Sequence, residues 1–109
     1  MEKTALLETI KTAIREGNYL YSLHAVDQSI LRGISRNEIE EAIATGEIIE
    51  NYPDDKYGPS CLIYGTTNKN RALHIVCALP NKLRKKVKII TLYQPDPEEW
   101  IDLKQRRSK

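Results

Sequence analysis

Nowhere in this sequence do apolar residues run on for the roughly 20 positions a membrane-spanning helix needs. The first eighteen residues, MEKTALLETIKTAIREGN, carry charge every few positions and lack the continuous apolar centre of a signal peptide, so a cytosolic location is expected. Cys61 and Cys77 do not make a disulfide framework, and reduced thiols in the core are the expected state. The chain has no glycine-rich phosphate loop, no serine–histidine–aspartate order and no context that would activate a cysteine as a nucleophile. It also shows no internal repeat and no linker, so a single domain over residues 1–109 is expected.

What is present is a folded composition: 109 residues, 40% hydrophobic and 29% charged. The charge is unevenly placed. Residues 1–67 hold 6 Lys/Arg against 11 Asp/Glu, a net −5, whereas residues 68–109 hold 11 against 4, a net +7. Solvated charged faces are one reading. The sharper one is a basic surface for a polyanion, set against an acidic surface that binds a basic partner or discourages nonspecific contacts.

The organising stretch is Arg71–Pro95. Two β-type runs, Leu73–Leu79 and Val87–Tyr93, flank a loop from Pro80 to Lys86 with four positive charges, Lys82, Arg84, Lys85 and Lys86. In the second run Val87, Ile89, Thr91 and Tyr93 alternate with Lys88, Ile90 and Leu92, which suits a central strand covered on both sides.

Ahead of it, apolar residues at helical spacing predict a helix over Thr4–Glu16, an addition outside the core of the domain. Residues 18–21 read as a short connector, with extended backbone as one option for it. Ser22 is the expected N-cap of a second helix through Arg32, closed by Gly33. Its apolar face would be Leu23, Val26 and Ile30, with His24, Gln28 and Arg32 as a polar stripe beside it. Ser35 and Glu38 form a capping box, stapled by Ile34 and Ile39, for a helix to about Thr45. Strands are expected at Glu47–Tyr52 and Ser60–Thr66, completing a four-stranded antiparallel meander. Asp96, Pro97 and Glu99 launch a last helix that buries Trp100, Ile101 and Leu103, and residues 105–109 read as a frayed basic tail. Helices segregated from consecutive antiparallel strands give an α+β two-layer fold.

Few residues in this pattern carry chemistry. His24, one turn from Gln28 and two from Arg32, has the residue type for general acid–base work or phosphate binding; the alternative is a histidine whose ring caps a carbonyl. His74, among aliphatic strand residues, is more often a packing residue than a catalyst. A metal site from His74 and Cys77 is disfavoured because an offset of three sends them to opposite faces of a strand. Thr91 and Tyr93 share a face, and a tyrosine there can stack on a base, bond a phosphate or simply edge the core. Arg84, Lys85, Lys86 and Lys88, taken with the basic tail, favour RNA over a neutral ligand. No cofactor is implied.

Several short stretches together resemble a small bacterial family catalogued as a domain of unknown function. They are Ser22-Leu23-His24-Ala25, Arg32-Gly33-Ile34-Ser35, Ile39, Gly46-Glu47-Ile48-Ile49, Leu73-His74-Ile75-Val76 and Ile90-Thr91-Leu92-Tyr93-Gln94-Pro95-Asp96. The likeness spans residues 20–102. That family more distantly resembles the RelE- and BrnT-type toxins, in which helices pack on a curved antiparallel sheet. The resemblance implies a small ribonuclease or ribosome-dependent mRNA cleaver, paired with an antitoxin, whose matching positions are His24, Arg32, His74, Thr91 and Tyr93. Metal-free cleavage by the RNA 2′-hydroxyl would use His24 as general acid or base, Arg32 on the phosphate, and Tyr93 to position a base or donate a proton. One departure weakens this. The family commonly has an arginine where this chain has Gln28, which removes a cation from transition-state stabilisation. A non-enzymatic RNA- or protein-interaction module, and a purely structural or regulatory domain, are the competing expectations.

Overall fold

The computed structural model describes residues 3–55, 58–81 and 85–107. In chain order the elements are α1 (Lys3–Arg15), β1 (Tyr19–Tyr21), α2 (Leu23–Arg32), α3 (Arg36–Ala44), β2 (Glu47–Tyr52), β3 (Ser60–Thr66), β4 (Ala72–Ala78), β5 (Val87–Tyr93), β6 (Trp100–Ile101) and β7 (Gln105–Arg106). The α+β class expected from the sequence is correct. The sheet is not the expected one. It has five strands in the order β1-β5-β4-β3-β2, and β1 runs parallel to β5, so the sheet is mixed.

The extra strand is the stretch expected as a connector. Tyr19, only 8% exposed, joins the core, and β1 pairs in register from Tyr19↔Val87 to Tyr21↔Ile89. Ser22 then fixes the exit. Its N–H donates to the Ile89 carbonyl (2.9 Å), its hydroxyl donates to the Ile90 carbonyl (2.7 Å), and the same oxygen caps α2 by accepting from Ala25 N–H.

That anchoring sets the rotation of α2, and the helix faces the other way from the amphipathic expectation. Ala25 is its one fully buried residue, whereas Leu23 is 86% exposed, Ile30 75% and Leu31 78%. The side turned to the sheet is the small residue and its neighbours; the apolar arc faces water. By contrast α3 matches the sequence reading. Ser35 and Glu38 make both bonds of the capping box, and Ile39, Ala42 and Ile43 are buried. Gly65 permits its close approach to β3, since a Cβ there would lie 1.8 Å from the Ala42 carbonyl oxygen.

α1 and α3 cover one face of the sheet. Ile10, Ala13, Ile14, Ile39, Ala42 and Ile43 meet Cys61, Ile63, Leu73, Ile75, Cys77, Val87, Ile89 and Leu92 in one apolar cluster. The register of β5 shifts between Ile89 and Thr91, opposite Cys77 and Val76, as a β-bulge. A one-residue insertion flips every side chain beyond it to the other face. The expected run of Val87, Ile89, Thr91 and Tyr93 on one face is therefore wrong. Val87 and Ile89 share the helix-covered face with Leu92, while Thr91 and Tyr93 lie on the second face with His74.

The C-terminal helix is absent. Asp96 accepts from Trp100 N–H through its carbonyl (3.1 Å) and from Glu98 N–H through its side chain (2.9 Å), but the turn stops there. Trp100, 4% exposed, instead starts the β6–β7 hairpin. Burying the sole tryptophan over the second face outweighs the local cap signals, and Ile101 remains 39% exposed. The tail is not frayed through Arg106, which pairs with Glu50 at 2.9 Å. Among the described residues no helix is long and apolar enough to cross a membrane.

Candidate functional site

The second face of the sheet carries a row of polar and aromatic groups across three strands: Tyr64 opposite His74, and His74 opposite Tyr93. Thr91, two residues before Tyr93, continues that face toward α2. There the first turn of the helix brings His24 to it, Nε2 lying 3.1 Å from Thr91 Oγ1. His24 is exposed. Three of the residues expected from the sequence, His24, Thr91 and Tyr93, thus share one side of the molecule with the sheet's second face.

Gln28 and Arg32 follow His24 along α2, Arg32 about 12 Å further on at 1.5 Å per residue. The Arg32 Nε donates to Gln28 Oε1, so the residue that replaces the expected arginine holds the remaining one. The end of α2 is fixed to the end of β5 by Arg71, a residue the sequence reading passed over. Its guanidinium donates to the carbonyls of Arg32 (3.0 Å) and Gly33 (2.9 Å), to Gln94 Oε1 (3.0 Å) and to Glu38 (3.0 Å). Glu38 is held below the usual carboxylate range by the Ser35 N–H above all, with burial opposing and Arg71 adding to the lowering.

His74 is fully buried, and both ring nitrogens are engaged: Nδ1 with the Tyr93 hydroxyl (3.2 Å), Nε2 with the Leu103 carbonyl (2.6 Å). Trp100 stands edge-on to its ring at 4.4 Å between centroids. Burial lowers the His74 pKa, opposed by the Leu103 bond and the charge of Glu50. Burial also raises that of Tyr93. Beside them Arg106 bonds Glu50 and lies over the Trp100 ring at 4.7 Å. Burial pushes Glu50 up, but the bonds from Arg106 and Tyr52 outweigh it and leave its pKa lowered; Tyr52 is raised to about 12 by burial and that bond. Trp100, Arg106 and Leu103 were missed as site neighbours. The only cue was that Trp100 is the sole tryptophan.

In the basic hairpin loop, residues 82–84, Arg84 among them, lie outside the described residues. Lys85, near Pro80 and Val87, edges a hollow of about 420 Å³ lined also by Glu8 of α1 and by Glu16 just after it. Lys86 precedes β5, whereas Lys88 lies within it, alternating with Val87 and Ile89 and so on the second face, about 10 Å before Thr91 at 3.3 Å per residue. The cysteines are unsuited to nucleophilic roles, burial raising Cys61 to about 12 and Cys77 well above its usual value. Among the described residues no three His, Cys, Asp or Glu side chains group as a metal-ligand set.

The arrangement therefore offers an exposed imidazole held by a hydroxyl, a tyrosine on the same face backed by a buried imidazole, and a guanidinium further along the helix. No match was found among curated proteins or among solved structures. A family model does match, over residues 21–94, which take in the helix carrying His24 and Arg32 and the strands carrying His74, Thr91 and Tyr93. The chain belongs to that family, described as a domain of unknown function, DUF4258.

Proposed function

We propose that this chain binds RNA across the sheet face bearing Thr91 and Tyr93 and cleaves it without a metal, as a RelE/BrnT-type toxin would. The observation that carries the reading is the contact between the exposed His24 imidazole and Thr91 at 3.1 Å, on the face shared with Tyr93. In this scheme the RNA 2′-oxygen bonds the adjacent phosphorus as the P–O5′ bond breaks, giving a 2′,3′-cyclic phosphate and a 5′-hydroxyl; His24 exchanges the proton at one of these two oxygens and water at the other, and Arg32 contacts the phosphate. The partners are RNA or the ribosome and an antitoxin protein, in the cytoplasm. The test is expression with a readout of growth arrest and mRNA integrity, for the natural chain and His24→Ala. Losing a placed acid–base group costs about 10²–10⁴-fold in rate. His24 is exposed, so its thermal midpoint should barely move. Cleavage that survives His24→Ala would remove His24 from the chemistry, and no cleavage by the natural chain would remove the enzymatic assignment.

One observation favours a second reading, a non-enzymatic RNA- or protein-interaction module. Arg32 is bonded to Gln28, which stands where the family commonly has a second cation. On that reading RNA binding weakens with salt and no cleavage is found between about pH 5 and 9.

A further inference from the structure

The two bonds of His74 together decide a proton's position. A backbone carbonyl only accepts, so the contact to Leu103 O at 2.6 Å requires a hydrogen on Nε2. In a neutral ring Nδ1 is then a lone pair, and the Tyr93 hydroxyl at 3.2 Å must be the donor. Burial keeps the ring neutral, with no exposed surface on His74. The groups that face it are Glu50 and Arg106, which neutralise each other as an ion pair, and the rings of Tyr64, Tyr93 and Trp100.

The Leu103 carbonyl is held in place by an unusual turn. Asp102 and Leu103 both have left-handed backbone, φ 53° and 63°, and neither is glycine. Two successive left-handed residues are the requirement of the turn that closes a tight hairpin, here between Ile101 and Lys104 N–H (3.0 Å). A leucine there carries strain that only surrounding structure sustains. Trp100 packed on the His74 ring and Arg106 bonded to Glu50 supply it on either side of the turn.

We propose that His74 is a positioning residue for Tyr93: fixed as the Nε2–H tautomer by the Leu103 carbonyl, it accepts the phenol O–H bond at Nδ1 and leaves the Tyr93 oxygen only its lone pairs to offer a ligand. The group that meets this oxygen is then a hydrogen-bond donor, such as the exocyclic amine or ring N–H of a base or a ribose 2′-hydroxyl. It is not a phosphate oxygen, and Tyr93 is not a proton donor to a leaving group. Naming RNA groups rests on the function proposed above; the direction of the bond does not.

Two measurements test it. Ring-nitrogen NMR of the ¹⁵N-labelled chain at pH 7 should show His74 protonated at Nε2 and bare at Nδ1; the reverse tautomer or a doubly protonated ring overturns the proposal. Binding of a short single-stranded RNA should fall about tenfold in Tyr93→Phe and by a similar factor in His74→Gln, which keeps a donor for Leu103 but lacks the Nδ1 acceptor. The double variant should fall no further, because the two groups act as one unit. Losses that multiply, or a His74→Gln chain that is folded and binds normally, overturn it. If the natural chain binds no RNA, the RNA assignment falls here and above, and the ring-nitrogen spectrum alone upholds or overturns the bond direction.

Discussion

Replacing Arg71 by alanine should destabilise this protein far more than its place beside a surface turn suggests. The side chain is 23% exposed, as is fitting for a group that ties three elements, and its partner Glu38 is 28% exposed. Truncation removes donors from the Arg32 and Gly33 carbonyls at the end of α2, from Gln94 after β5, and from Glu38 in the capping box of α3. Hydrogen bonds to charged groups contribute about 1.5–3 kcal/mol, and water can replace part of what is lost at this half-open site. A net cost of about 2–3 kcal/mol is expected, equivalent to a fall in thermal midpoint of about 10–20 °C for a domain of this size. Lys104→Ala is the control, because the Lys104–Glu47 pair is 48% and 54% exposed and such pairs contribute about 0–1 kcal/mol. Thermal unfolding followed by circular dichroism, with both variants at pH 7, measures the difference. The pH dependence adds a sign. Glu38 has a lowered pKa in the folded state, so its contribution is fully present above the unfolded value of about 4.3 and is lost as pH falls through the folded one. The gap between Arg71→Ala and the natural chain should therefore narrow in acid. Equal costs for Arg71→Ala and Lys104→Ala would refute the reasoning.

Other variants probe the remaining features. Gly65→Ala sets a methyl group 1.8 Å from the Ala42 carbonyl oxygen, so α3 must shift; a loss above about 3 kcal/mol, or failure to fold, is expected by denaturant titration. Leu31→Lys, at a position 78% exposed, should change stability by less than about 0.5 kcal/mol in the same assay, whereas an inward-facing Leu31 would make the change costly. His74 has a lowered folded pKa, so the unfolded chain takes up its proton first. Stability should be full above about pH 6.5 and decline as pH falls toward the folded value, and His74→Gln should remove that part of the decline.

Features written in consecutive residues were legible in the sequence. The capping box at Ser35 and Glu38 and the stop at Gly33 depend on neighbours within four positions, and both stand as read. What failed depended on partners far along the chain. The orientation of α2 is set by Ser22 reaching the Ile89 and Ile90 carbonyls, a contact no periodicity in residues 23–32 can announce. The bulge before Thr91 is a property of the pairing with β4, invisible in the alternation of β5 itself. Cap signals at Asp96 began a helical turn, and the pull of Trp100 toward His74 ended it. For the candidate site, His24, Thr91 and Tyr93 could be picked out by residue type and resemblance. Arg71 and the Leu103 carbonyl could not, since one looks like any turn arginine and the other is backbone.

The parallel placement of β1 beside β5 also bears on how the chain assembles. Ser22 and Ile90 are 68 positions apart, and β1 has no other neighbour in the sheet. The antiparallel strands can zip through short connections, but this margin closes a loop spanning most of the polypeptide before it gains a single ladder bond. Loop-closure entropy therefore disfavours the N-terminal border relative to the antiparallel pairings, and because His24 follows that border directly, its contact with Thr91 depends on the costliest closure in the sheet.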